Sequence, residues 1–260
     1  MISFIIPAHD EERLIGRTLS ALHDAVSELG AAYEITVVED ASTDKTALIA
    51  QHHGARVVSV RLRHIAAARI AGAKKSGGDL LVFVDADTLV SAAVLRAALQ
   101  AVAAGAVGGG ARARFNGWVP VYGRVLERSW GWIQNLAVLA SGGFIFCTRQ
   151  AFDAIGGFDE TVYIAEDVIS SRQLKRLGKF VIVPEVVVTS GRTVRAHRAF
   201  DALRILAAFV LHGPASFTYR QATWYGTRSV DDEGLQDDTE NEPGSNSRLT
   251  RACTRQAPGR

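Results

Sequence analysis

Cysteine is nearly absent from this chain. The two that occur, Cys147 and Cys253, make neither a disulfide framework nor a metal-ligand spacing, which fits a reducing compartment. An excess of one charge is missing too: 29 Lys and Arg against 27 Asp and Glu give a net charge of +2, so nothing global points to nucleic acid. No apolar run approaches the roughly 20 residues that span a bilayer. The opening "MISFIIP" lacks the basic start and long apolar region of a secretory leader, and reads as a first strand. Neither G-x-G-x-x-G nor a P-loop follows that strand, which argues against a dinucleotide-dependent oxidoreductase. The glycine-rich "GAVGGGAR" (105–112) leads into a strand-like stretch and reads as close packing, not as a phosphate cradle.

What is present is an alternation. At 260 residues, 48% hydrophobic and 22% charged, the chain suits one soluble α/β domain with a tail. Apolar strands are expected at 2–6, 34–40, 56–60 and 80–84, with helices at 11–29, from Thr43 and Thr46, at 66–75 and from Ser91 to about 104. Pro7 is expected to stop the first strand. Continuous apolar strands separated by helices predict a mostly parallel sheet covered on both faces, with ligands at the carboxyl ends of its strands. Further on, a strand is expected at 108–115, a long apolar helix at 119–140, a strand at 142–147 and a helix at 167–177. Two strands, 179–184 and 186–190, close the ordered part. Residues 1–225 are expected to form the domain, 1–105 its nucleotide half and 106–225 its acceptor half. The acidic-then-basic 226–260 is too poor in apolar residues to offset its chain entropy and is expected to be disordered.

Acids stand at the strand ends. "DLLVFVDADTLV" (79–90) carries Asp85 and Asp87 where the fourth strand leaves the core. Alternate residues of a strand share a face, so both carboxylates could address one ligand. Mg²⁺ or Mn²⁺ takes a carboxylate or two and completes its shell with phosphate oxygens and water. The plain structural alternative is a turn cap and a helix cap. "IIPAHDEE" (5–12) presents His9, Asp10 and Glu11 after the first strand, where they suit a helix start as well as a ligand. "VVEDASTDKT" (37–46) ends in Glu39 and Asp40, able to accept from a nucleobase N–H or a ribose hydroxyl. Arg69, on the third helix, could reach phosphate or ribose, or lie on a solvated face.

Together with "AAARIAGAKKSGGDLLVFVDADT", "SGGFIFCTRQAFDAIGGFDE" and "AEDVISSRQLKRLGK", these stretches resemble the family-2 glycosyltransferases of GT-A fold over roughly residues 1 to 190. The resemblance implies an inverting transfer of a sugar from a nucleotide-diphosphate sugar to an acceptor hydroxyl, with Mg²⁺ or Mn²⁺. It places Pro7, Ala8, His9, Glu11, Asp40, Arg69 and Asp85 at the nucleotide and Asp87 at the metal. Asp167 becomes the catalytic base, with Glu166, Gly142 and Gly143 in the sugar and acceptor pocket. Some relatives set an arginine after a Thr-Ser step near the diphosphate, which makes Arg192 a candidate clamp. His9-Asp10 replaces the usual Tyr-Asn, and "RLRHIAAAR" departs from the family's glycine-containing loop. UDP-sugars are expected ahead of GDP-sugars. Two apolar stretches with interleaved arginines, 116–143 and 200–213, read first as core and closing helices. Their alternative is a peripheral contact for a lipid-linked acceptor. The expected location is the cytoplasm, with the inner face of the membrane as the variant. A nucleotidyltransferase and a non-catalytic nucleotide-sugar-binding protein are the competing classes. The acidic first loop disfavours the former.

Overall fold

The computed structural model describes residues 1–120, 122–125, 127–128, 138–140, 143–162 and 166–192. The tail 226–260, the stretch 200–213, Arg195, His197 and Gly142 lie outside the described residues, as does much of 119–140.

Strand β1 (Ile2–Ala8) is followed by helix α1 (Ile15–Leu29), β2 (Tyr33–Asp40), α2 (Thr46–His52), β3 (Arg56–Val60), α3 (Ile65–Lys75) and β4 (Leu80–Val84). A two-residue β5 (Thr88–Leu89), α4 (Ala92–Ala103), β6 (Ala106–Asn116), β7 (Phe144–Thr148), α5 (Arg149–Ala154), α6 (Glu166–Leu177) and β8 (Lys179–Ser190) complete the order. Residues 122–125 and 127–128 are helical. The eight strands among the described residues join one sheet in the order β3-β2-β1-β4-β7-β6-β8-β5. The half from β3 to β4 is parallel, whereas β7 runs antiparallel to both β4 and β6.

Strand periodicity builds the two covered faces. Phe4 and Ile6 enter one core with Leu19, Leu22 and Val26 of α1 and Leu95 of α4. Ile5, between them, enters the other with Val38, Phe83 and the alanines of α3. Helix α1 buries Ile15, Thr18, Leu19, Leu22, Ala25 and Val26, the spacing of one helical stripe. Each fully buried large apolar side chain stabilises by about 1.5–3 kcal/mol. Gly30, left-handed at φ 62°, ends this helix, and its N–H returns to Val26 and Ser27 carbonyls. The close-packing role of "GAVGGGAR" holds in β6. A Cβ on Gly108 would stand 2.8 Å from the Phe146 carbonyl oxygen, and one on Gly110 2.6 Å from Ala140 Cβ.

Three expectations need correction. Pro7 does not stop β1, which runs to Ala8. Pro7 pairs with Val38 beyond the last β1–β4 pair, where one side of the strand needs no ladder donor. The strands expected at 179–184 and 186–190 are one strand, β8. Its register against β6 jumps from Ala111↔Val183 to Arg112↔Val186, and this bulge accommodates Pro184. Residues 11–14 precede α1 as a turn, with Leu14 and Ile15 N–H groups both on the Glu11 carbonyl, because the Glu11 N–H is held by Thr46 Oγ1 at 2.7 Å.

Candidate active site

The site lies at the carboxyl ends of β1, β2 and β4, where the strand order reverses around β1. Loops there are stitched to each other before any ligand arrives. His9 is buried and its Nδ1 stands 2.6 Å from the Asp40 carbonyl oxygen; a carbonyl only accepts, so Nδ1 carries the proton. Asp10 Oδ1 accepts from the Thr43 N–H at 2.7 Å, and Asp44 Oδ2 from that of Glu12 at 2.9 Å. Asp40, 2% exposed, accepts from the N–H groups of Leu62 at 2.7 Å and His64 at 3.2 Å. Its carboxylate therefore fixes the loop after β3, a task the sequence reading did not give it beside the nucleobase contact. Asp10, Ala41 and Arg63 hold φ of 51°, 59° and 47°, one left-handed residue in each of the three loops. Such conformations persist only where surrounding contacts over-determine them.

Asp85 and Asp87 do not share a strand face. Asp85 follows the last residue of β4, and its carbonyl accepts the Thr88 N–H at 3.1 Å, so the Asp-x-Asp step is a turn. Thr18 of α1 pins that turn by donating to the Ala86 carbonyl at 2.8 Å. The Gly143 carbonyl accepts from the Asp85 N–H at 3.5 Å, which puts Gly143 beside the turn. The two carboxylates meet different cations. Asp85 Oδ1 accepts from Arg69 Nη2 at 2.9 Å. Asp87 Oδ2 lies 3.4 Å from Arg192 Nη2, and its Oδ1 accepts from Thr189 Oγ1 at 3.3 Å.

Arg192 also donates to both oxygens of Glu11, at 2.8 and 3.0 Å. Glu11, expected at the nucleotide, is thus joined to Asp87 through a shared guanidinium. Of the two sequence alternatives for Arg69, the solvated face does not hold: it is 0% exposed. Its Nη1 donates to Glu166 Oε1 at 2.7 Å, and its guanidinium sits 5.3 Å from the Phe158 ring centroid. Phe158 belongs to the "GGFD" turn, whose Gly156 and Gly157 have φ of 77° and 87°. Those glycines serve the turn itself. Pro7 is half-buried and Ala8 buried, both within β1.

Glu166 and Asp167 open α6. Burial pushes the Asp167 carboxyl up to about 7, with the Glu166 charge adding and Arg69 opposing. Glu11 and Asp87 meet Arg192, Asp85 and Glu166 meet Arg69, and Asp167 lies in the field of Glu166, Arg69 and Asp85. Among the described residues no group of three or more His, Cys, Asp or Glu could hold a metal alone. Carboxylates at this rim fit Mg²⁺ or Mn²⁺, which takes one or two of them and completes its shell with phosphate oxygens and water. Sequence reasoning missed Thr18, Thr189 and Phe158. Phe158 lay inside a quoted motif and Thr189 in the Thr-Ser step before Arg192, whereas Thr18 gave no signal beyond its place on a buried helical stripe.

Comparison with known proteins identifies the family and the fold. An undecaprenyl-phosphate 4-deoxy-4-formamido-L-arabinose transferase from Pseudomonas aeruginosa is 38% identical over 96 residues, 34% of this chain and 28% of that protein. Its namesake from Edwardsiella ictaluri is 36% identical over 95 residues, 33% of this chain and 29% of that protein. The match spans less than a third of the length of these curated relatives. Among solved structures, a mannosyltransferase from Pyrobaculum calidifontis in complex with GDP-Man and Mn²⁺ superposes with a TM-score of 0.60 at 20% identity. That alignment covers 83% of this chain and 69% of the other. Glucosyl-3-phosphoglycerate synthase from Mycobacterium tuberculosis, with Mn²⁺ and UDP, gives 0.54 at 22% identity over 82% and 80%. At such identity the likeness concerns the fold, which is GT-A. The family model described as Glycosyl transferase family 2 matches residues 3–156, more than half of the chain. The chain belongs to glycosyl transferase family 2.

Proposed function

We propose that this glycosyltransferase moves a sugar, with inversion, from a nucleotide-diphosphate sugar to an acceptor hydroxyl. The observation that carries the reading is the convergence of Glu11, Asp85, Asp87, Glu166 and Asp167 on two arginines at one rim of the sheet. In this reading residues 1–105 hold the donor, with UDP ahead of GDP, and the remainder of the domain faces the acceptor. Asp87, with the donor's own phosphate oxygens, holds Mg²⁺ or Mn²⁺. The bound ion supplies charge neutralisation on the departing diphosphate. Arg192 exchanges its carboxylate partners for the diphosphate, and Pro7, Ala8 and His9 line the nucleoside side.

Asp167 takes the proton of the attacking hydroxyl. A base is most effective when its affinity for protons sits near the working pH, and a carboxyl raised to about 7 meets that condition. Attack from the face opposite the leaving group inverts the anomeric carbon in one displacement.

A second reading has support in the curated relatives, whose names specify undecaprenyl phosphate. A phosphate acceptor is already ionised and needs no base. One experiment separates the two: Asp167→Asn abolishes transfer to a hydroxyl acceptor while UDP or GDP binding with Mn²⁺ stays within about threefold of the parent, a change under 1 kcal/mol. Transfer at the parental rate would remove Asp167 as base and favour the phosphate acceptor.

A further inference from the structure

Among the described residues Arg69 is the largest fully buried side chain, ahead of the core phenylalanines. A guanidinium leaves water only where partners replace its hydration. Here they come from three directions. Glu166 at the start of α6 accepts from Nη1 at 2.7 Å, Asp85 after β4 accepts from Nη2 at 2.9 Å, and Phe158 lies against the group at 5.3 Å. Phe158 is itself fixed edge-to-face on Phe83, with ring centroids 4.8 Å apart. The side chain that bridges these elements rises from α3, on neither of them.

We infer that Arg69 is a positioning residue: its two-handed grip ties the turn bearing Asp85 and Asp87 to the start of α6 and so places Asp167, without contact with the donor. This rests on the reading of Asp167 as the base. Among the described residues, the charged groups facing Asp167 are Glu166 on its own helix, Arg69 from α3 and Asp85 from the turn after β4. Two of them favour the protonated acid, and Arg69 alone opposes. Stripped of that cation, Asp167 would keep its proton at neutral pH and could not accept another.

The test needs no substrate. Protein labelled with ¹³C-aspartate is titrated by NMR, and the Asp167 carboxyl resonance is assigned as the one missing from Asp167→Asn. Glu166→Gln is expected to lower the midpoint and Arg69→Met to raise it, each by on the order of one pH unit. Arg69→Lys keeps the charge and holds the midpoint within about half a unit, while its compact ammonium lacks the rigid planar fork that reaches Asp85 and Glu166 from separate nitrogens. Should Arg69→Met fail to fold, the Glu166→Gln shift together with the Arg69→Lys midpoint decides. Midpoints of the Gln and Met variants at the parental value would overturn the inference. So would a tenfold or greater loss of affinity for UDP or GDP with Mn²⁺ in Arg69→Lys, about 1.4 kcal/mol, since a nucleotide contact would explain it. The two readings fail separately. Unmoved midpoints beside an inactive Asp167→Asn sink only the role of Arg69. Shifted midpoints beside an active Asp167→Asn sink only the base.

Discussion

Asp167 illustrates how a functional residue can work against the fold that carries it. Its carboxyl is raised by burial and by Glu166 to about 7, far above the ordinary aspartate range. The folded state therefore binds a proton that the unfolded chain has already released. Stability from this group is present below about pH 4 and is lost as pH rises through about 7. Asp167→Asn is accordingly expected to melt higher than the parent, by a few degrees near about pH 8 and by little near about pH 4. Calorimetry across that range checks the sign. A constant difference would mean that Asp167 is not buried against Glu166. Arg192 offers a second residue-level test: Arg192→Ala is expected to weaken UDP or GDP binding with Mn²⁺ by about tenfold, as loss of a charge-assisted phosphate contact should. The acids were legible in the sequence because each sits in a short local motif. The partners of Arg69 were not. Glu166 stands 97 positions away and Asp85 16, and nothing local marks a guanidinium that will be enclosed.

Elements carry the site as frames, and the frames depend on packing that looks unrelated to chemistry. The Asp85–Thr88 turn is held from behind by Thr18 of α1, through a buried bond to the Ala86 carbonyl. Thr18→Val keeps the shape and removes the donor, which should cost about 1–3 kcal/mol in urea unfolding. It should also loosen Mn²⁺-dependent nucleotide binding, because the turn bears Asp87. A variant with parental stability would show that water replaces the hydroxyl. Strand β6 makes a related point. A side chain on Gly109 would strike the Val181 carbonyl and the Phe146 ring, so Gly109→Val is expected to destabilise by about 1–3 kcal/mol or more through overpacking. Element type was readable throughout the first half, since apolar runs and helical stripes are local patterns. The bulge that merges two expected strands into β8 was not, because a proline inside a strand reads as a break until the partner strand is known to bend around it.

At the scale of the whole molecule, the sheet brings the carboxyl ends of β1, β2 and β4 to one rim and adds α6 from a distant part of the chain. A ligand that binds only the folded state raises its melting temperature by RT ln(1 + [L]/Kd), about 2.7 kcal/mol at a hundred times Kd. UDP and GDP should therefore raise it more with Mn²⁺ than without; equal shifts would dispense with the metal at Asp87. No described helix is long and apolar enough to cross a membrane. Trp118 and Val125 are nevertheless well exposed, at 73% and 58%, beside Arg124 and Arg128. These residues belong to the stretch 116–143, read first as core, with contact to a lipid-linked acceptor as its alternative. Partition onto anionic liposomes that falls with salt is the expected result of that alternative. By itself the sequence determined the alternation of strands and helices and the identity of the acids, because hydrophobic period and short motifs act over a few residues. Only the tertiary structure decided which cation each acid meets, and hence which carboxyl keeps a proton near neutrality. Coulomb attraction and desolvation depend on distance in space, and the chain sets that distance only once the sheet has closed.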